Sequence, residues 1–180
     1  MVQKENKILL HACCAVCSSY PISLLKELDC VPIVYFCNPN LDSQEEFNKR
    51  LDAQKTVCDK YNVELIVEDY EPDLFLEYVK GYEQEPEKGL RCDKCIELRI
   101  LKTAQKAKEL EIDTFATSLI ISPHKNIKKI FDISKNIASE YGISFLDINF
   151  RKNNGFLITN QISRALNLYR QNYCGCKFTK

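Results

Sequence analysis

No run of apolar residues in this 180-residue sequence approaches the roughly 18 that a membrane-spanning helix needs. Net charge is also missing, because 25 basic side chains balance 25 acidic ones. There is no internal repeat, low-complexity tract or linker, so a single domain over 1–180 is expected. Glycine is scarce, with five in all, and no Ser-Gly-Gly-type phosphate loop follows the first apolar run. That run, Ile8-Leu9-Leu10 before His11, is too short for the ~7–15-residue core of a secretory signal. It suits a buried first strand, and a cytoplasmic protein without membrane association is expected.

What is present is a 45% apolar composition, enough for a sizeable core, and ten cysteines. In a secreted chain these would suggest disulfides; in a reducing compartment their clustering points to metal or redox chemistry. Cys13, Cys14 and Cys17 form one group, Cys92 and Cys95 a second, and Cys174 and Cys176 a third. Cys30, Cys37 and Cys58 stand alone and are expected as small buried residues. The charge is polarised along the chain. Residues 1–90 hold 9 Lys/Arg against 17 Asp/Glu, and residues 91–180 hold 16 against 8. Such a molecule can turn a basic face to an anionic partner while staying neutral overall.

Apolar runs place strands over 7–11, 31–37, 63–67, 114–121 and 144–148. Helices are expected over 18–28, 43–61, 72–79, 92–110, 126–141 and 160–170. Ser43 and Glu46 form a capping box, and Gly142 stops the fifth helix. This alternation predicts an α/β fold, a five-stranded parallel sheet with helices on both faces. Ligands then bind outside the carboxyl ends of the strands. The Cys13 turn, the Asn38-Pro39-Asn40 loop and the Ser122-Pro123 loop should all open onto one crevice.

Cys13-Cys14 cannot form a relaxed vicinal disulfide, but two adjacent thiolates at a strand-to-helix turn can meet a multinuclear centre. Cys92-Asp93-Lys94-Cys95 is a C-x-x-C at a helix start, where backbone N–H groups favour thiolates. Four thiolates satisfy either tetrahedral zinc or a [4Fe–4S] cluster. Adjacent cysteines are unusual for zinc, which tilts the choice towards the cluster. A thioredoxin-like pair would follow a strand, whereas this motif follows a loop. Cys174-Gly175-Cys176 closes a disulfide only with strain, which suits a reversible thiol relay; a tail with two idle thiols is the plainer alternative. His11, at a strand end, suits a proton donor, a ligand or a hydrogen-bonded structural residue, and His124 has similar alternatives.

Taken together, Leu-Leu-His-Ala-Cys-Cys-Ala-Val-Cys (9–17), Phe-Cys-Asn-Pro-Asn (36–40), Glu-Pro-Glu-Lys-Gly-Leu-Arg-Cys-Asp-Lys-Cys (85–95), Ile-Ser-Pro-His-Lys-Asn (121–126) and Tyr-Arg-Gln-Asn-Tyr-Cys-Gly-Cys (169–176) carry a resemblance. The chain resembles the cobalamin-independent epoxyqueuosine reductases, the QueH family. The resemblance implies a HUP-like, Rossmann-type fold, related to tRNA-thiolating ATP pyrophosphatases but without their phosphate loop. It implies reduction of epoxyqueuosine to queuosine and water at the wobble position of tRNAs with a GUN anticodon. It maps the [4Fe–4S] ligands onto Cys13, Cys14, Cys92 and Cys95, and a redox-active pair onto Cys174 and Cys176. A further iron beside the cluster is also implied, with Cys17 as the candidate ligand.

On this reading His11 or another nearby acid protonates the departing oxygen, and an external donor supplies electrons. Asn38, Asn40, Ser122, His124, Lys125, Arg170 and Tyr173 are the expected substrate contacts. Residues 169–180 form a cysteine-containing tail over the site. Lys125, Lys128, Lys129, Arg151, Lys152, Arg164 and Arg170 would meet tRNA phosphates, and Tyr82, Tyr169 and Tyr173 could stack on bases. Two rivals remain: a tRNA sulfur-transferase, which would need an ATP loop, and a zinc-stabilised RNA-binding module.

Overall fold

A computed structural model describes residues 6–179. Strand β1 (Lys7–Ala12) is buried over five of its six residues and stands at the centre of the sheet. It pairs in parallel with β2 (Val31–Phe36) on one side and β4 (Thr114–Thr117) on the other. Strands β3 (Leu65–Val67) and β5 (Ser144–Phe145) complete the parallel order β3-β2-β1-β4-β5. Being covered on both faces, the central strands read as continuous apolar runs rather than alternating ones.

The helices fall into two packed groups. Helix α1 (Ala15–Glu27) packs with α2 (Gln44–Tyr61) and α6 (Gly155–Ala165). Helix α4 (Leu90–Glu109) packs with α3 (Pro72–Tyr78) and α5 (Ile127–Tyr141). The main core gathers Leu9, Leu10, Phe115, Ala116 and their helix partners. At ~25 cal/mol per Å² of buried apolar surface, each such large side chain contributes about 1.5–3 kcal/mol. A smaller cluster of Phe75, Val79, Cys95, Leu98 and Cys176 ties the C-terminal tail to α3 and α4.

Several boundaries differ from those expected. Helix α1 begins three residues before position 18, because Cys14 Sγ caps it by accepting from Cys17 N at 3.4 Å. Strand β4 stops at Thr117, whose Oγ1 accepts from Leu119 N, and the apolar run continues as a 3-10 turn over Ser118–Ile121. Strand β5 is only two residues long. Helix α6 starts at Gly155, five residues before the expected position. Asn153 and Asn154 both adopt positive φ there, and a Cβ at 155 would collide with the Phe150 carbonyl and the Tyr20 ring. Ser43 caps α2 as expected, but Glu46 does not complete the box; its carboxylate turns instead to Arg50 and Tyr169.

Candidate active site

The chain reverses its winding direction between β1 and β4, and the two strands end side by side. In open α/β sheets this is where a crevice opens beyond the strand ends. Here it encloses about 740 Å³ and is lined on one wall by Cys13, Cys17, Cys92 and Arg99. Ser122, His124, Lys125, Asn126 and Lys129 form a second wall, and Gln171, Tyr173 and Cys174 a third.

Cys13, Cys14 and Cys17 bring their sulfur atoms within 4.8 Å of one another. The turn that carries them holds cysteines where nucleotide-binding relatives of this architecture carry glycines. Ser118, on the turn after β4, accepts from Cys13 N at 3.1 Å and donates to Cys13 Sγ at 3.4 Å. Hydrogen bonds from Cys14, Cys17 and Ser118 push the Cys13 thiol well below its usual range. Cys14 is raised to about 12, first by its hydrogen bond to Cys13. Three sulfurs this close together on one strand-to-helix turn are a ligand set for a thiophilic metal centre.

The C-x-x-C group lies on the first two turns of α4. Cys92 faces the crevice and accepts from Lys88 N at 3.3 Å. Cys95 is buried, and burial raises its thiol to about 11. The third group divides between two environments. Cys174 lines the crevice, while Cys176 is buried beside Cys95 in the cluster of Phe75, Val79 and Leu98, and burial raises its thiol too. All ten cysteines are free thiols, so the expected disulfide is not formed in this structure.

The tail is held by α2. Arg50 is 4% exposed; its Nε pairs with Glu46 at 2.7 Å, and its two terminal nitrogens donate to the carbonyls of Cys174 and Tyr173. Tyr169 donates to Glu46, Tyr173 donates to Asp42, and Asp42 N donates to the Gly175 carbonyl. Gly175 has φ +103°, and a Cβ there would press on Leu41 and Arg50.

Some expected residues are not brought to the crevice. His11 is completely buried, with one ring nitrogen 3.0 Å from the Cys37 carbonyl and the other 3.0 Å from Thr117 Oγ1. Burial, reinforced by the Arg99 charge, lowers its pKa to about 4. It stands as a hydrogen-bonded strut between strand ends and does not line the cavity. Asn38 donates to the Ala12 carbonyl and latches β2 to β1. Asn40 is buried away from the crevice lining. Arg170 is spent on Ser163 and Asn160 of α6. Arg151 is engaged by the carbonyls of Ile120, Ser122 and Lys125, so it braces the His124 loop rather than presenting a free cation.

Sequence reasoning missed Ser118, Arg50 and Arg99. The only sequence signal for Arg99 is its spacing. It follows Cys92 by seven residues and Cys95 by four, on a helix face otherwise carrying Ile96, Ile100 and Ala104.

Comparison with known proteins agrees with this arrangement. The family model described as Epoxyqueuosine reductase QueH matches residues 8–180. The Epoxyqueuosine reductase QueH of Streptococcus pyogenes serotype M1 is 38% identical over 98% of this chain and 72% of its own length. That of Thermotoga maritima is 33% identical over 96% of this chain and 89% of its own. Among solved structures, the U34-tRNA thiolase NcsA from Methanococcus maripaludis with its [4Fe-4S] cluster superposes with a TM-score of 0.62 at 16% identity. The match covers 99% of this chain and 63% of the thiolase, a likeness of fold. No helix among the described residues is long and apolar enough to cross a membrane. On its sequence over nearly its whole length, the chain belongs to the epoxyqueuosine reductase QueH family.

Proposed function

We propose that this chain catalyses the two-electron reduction of epoxyqueuosine to queuosine at the wobble position of tRNAs with a GUN anticodon. The observation that carries the reading is the convergence of Cys13, Cys17, Cys92 and Cys174 on one crevice, in a chain of this family. Removing an epoxide oxygen consumes two electrons and two protons, and yields an alkene and water.

The donor set fits an iron–sulfur centre, with three close sulfurs on one side and a C-x-x-C on the helix opposite. Cys13, Cys14, Cys92 and Cys95 would hold a [4Fe–4S] cluster, and Cys17 would reach a further iron. When bound, such a group supplies electrons and a Lewis acid for the epoxide oxygen.

The chain's own residues do the rest. Ser118 fixes the orientation of Cys13. The Ser122–Lys125 loop, braced by Arg151, and Lys129 present donors and positive charge to a flipped-out nucleotide and its phosphates. Tyr173, on the tail over the site, offers a ring against which a base stacks. Oxidation of the Cys174/Cys176 dithiol to a disulfide releases two electrons and two protons, the number the reaction consumes; an external reductant then restores the thiols. For this, Cys176 leaves its place beside Cys95.

The test is anaerobic incubation of iron-reconstituted protein with epoxyqueuosine-containing tRNA and a low-potential reductant, followed by mass analysis of the released nucleosides. Queuosine should appear, one oxygen lighter than the starting nucleoside. Iron-loaded, folded protein that leaves epoxyqueuosine unchanged would refute the reading. Zinc without iron in anaerobically purified, colourless protein would favour an RNA-binding module.

A further inference from the structure

We infer that Arg99 is the fixed counter-charge of the cysteine centre, a positioning residue that raises its affinity for electrons. The inference rests on the iron–sulfur reading above and goes beyond it, to a residue that sets the centre's redox balance.

Arg99 is 3% exposed, yet its guanidinium lines the same crevice as Cys13, Cys17, Cys92 and Cys174. Two other buried arginines show how this fold usually satisfies such a group. Arg50 pairs with Glu46 and two carbonyls. Arg91 donates to the carbonyls of Glu83 and Glu85 and lies over the Phe178 ring. Among the described residues the Arg99 side chain makes one hydrogen bond, from Nε to the Cys95 carbonyl at 3.3 Å, and no carboxylate pairs with it. A buried cation without a partner is strongly unfavourable, so the site is built for an anion that the protein's carboxylates do not supply. Cys13, Cys17 and Cys92, which line the crevice with it, would carry that negative charge as metal-bound thiolates.

Its place on α4 is geometric. One helical turn beyond Cys95 and two beyond Cys92, it shares their helix face and, like Cys92, lines the crevice. Arginine does not lose its proton at any working pH. The charge is therefore constant, and it stabilises whichever state of the centre is more negative. Adding an electron makes the centre more negative, so a nearby permanent cation favours reduction.

The experiment compares reconstituted wild type with Arg99→Lys and two neutral variants, Arg99→Gln and Arg99→Met. It reads iron and sulfide per chain, the midpoint potential in a redox titration, and melting of the iron-free protein. The neutral variants should bind iron and show a tenfold or greater fall in the reduction equilibrium constant, about 59 mV for a one-electron couple. Arg99→Lys should retain most of the wild-type potential. A folded neutral variant with wild-type iron content and wild-type potential would overturn the inference. So would neutral variants that fail to fold while Arg99→Lys restores folding without iron, since the charge would then serve the bare fold. Wild-type protein that binds no iron would instead refute the reading of the centre itself.

Discussion

Arg50 donates to the carbonyl of Cys174 at 3.1 Å across 124 residues of sequence. Through its other nitrogens the same guanidinium reaches Tyr173 and Glu46. One buried side chain therefore holds the third wall of the crevice against α2. Arg50→Gln should destabilise the protein by about 3 kcal/mol, because Glu46 would be left as a buried charge. Arg50→Lys keeps the charge but not the fork, and should cost less stability while still loosening the tail. Urea denaturation measures the first effect. The alkylation rate of Cys176, which is buried in the native protein, measures the second and should rise in both variants.

Gly175 tests the same wall by another route. Its φ of +103° is one that a side chain rarely adopts, and Leu41 and Arg50 fill the space where a Cβ would stand. Gly175→Ala should cost about 1–3 kcal/mol as local strain. It should speed alkylation of Cys176 at least several-fold with little change in overall helix content. Unchanged thiol protection would mean that the tail does not depend on this turn.

Ser118 joins the ends of the two central strands at the cysteine triad. Ser118→Ala removes both the acceptor for Cys13 N and the donor to Cys13 Sγ. The expected loss of stability is about 1–2 kcal/mol, since the partly buried Cys13 N–H loses its partner. Iron should also be lost to a chelator more quickly than from wild type. Timed iron release from the reconstituted variant measures this, and an unchanged rate would count against Ser118 as an orienting group.

Lys125 and Arg151 should separate in a salt titration of tRNA affinity. Lys125 faces the crevice, whereas the Arg151 guanidinium is taken up by backbone carbonyls. Lys125→Ala should reduce the slope of log affinity against log salt by roughly 0.7–0.9. Arg151→Gln should lower affinity by loosening the loop while leaving that slope unchanged. Filter binding across a salt series distinguishes the two.

The sheet was legible because strands covered on both faces announce themselves as apolar runs, as in Val31–Phe36. The limits of β4 and α6 were not. A hydroxyl at Thr117 ends one strand inside an apolar run, and two asparagines with positive φ start a helix that no sequence period marks. The cysteines were visible because a thiol's chemistry is written in its residue type and spacing. Arg50, Arg99 and Arg151 were hidden for the opposite reason. An arginine in a sequence looks the same whether it meets solvent, a carbonyl or a buried carboxylate, and only tertiary packing separates these fates. His11 had more than one reading open, and the hydrogen bonds to Thr117 and Cys37 that make it a structural residue come from strands distant in sequence.

The crevice has walls of unequal stiffness. Its cysteine triad hangs from β1, which is hydrogen-bonded on both edges and buried on both faces. The walls opposite are a loop and a tail held by arginines gripping peptide oxygens. Breathing that admits a substrate should therefore come from the loop and tail, while the triad stays still. Amide exchange should map this asymmetry directly, slowest at Leu9 and Leu10 and fastest around His124 and Asn172. A metal centre held by that triad would keep its geometry while substrate enters and leaves.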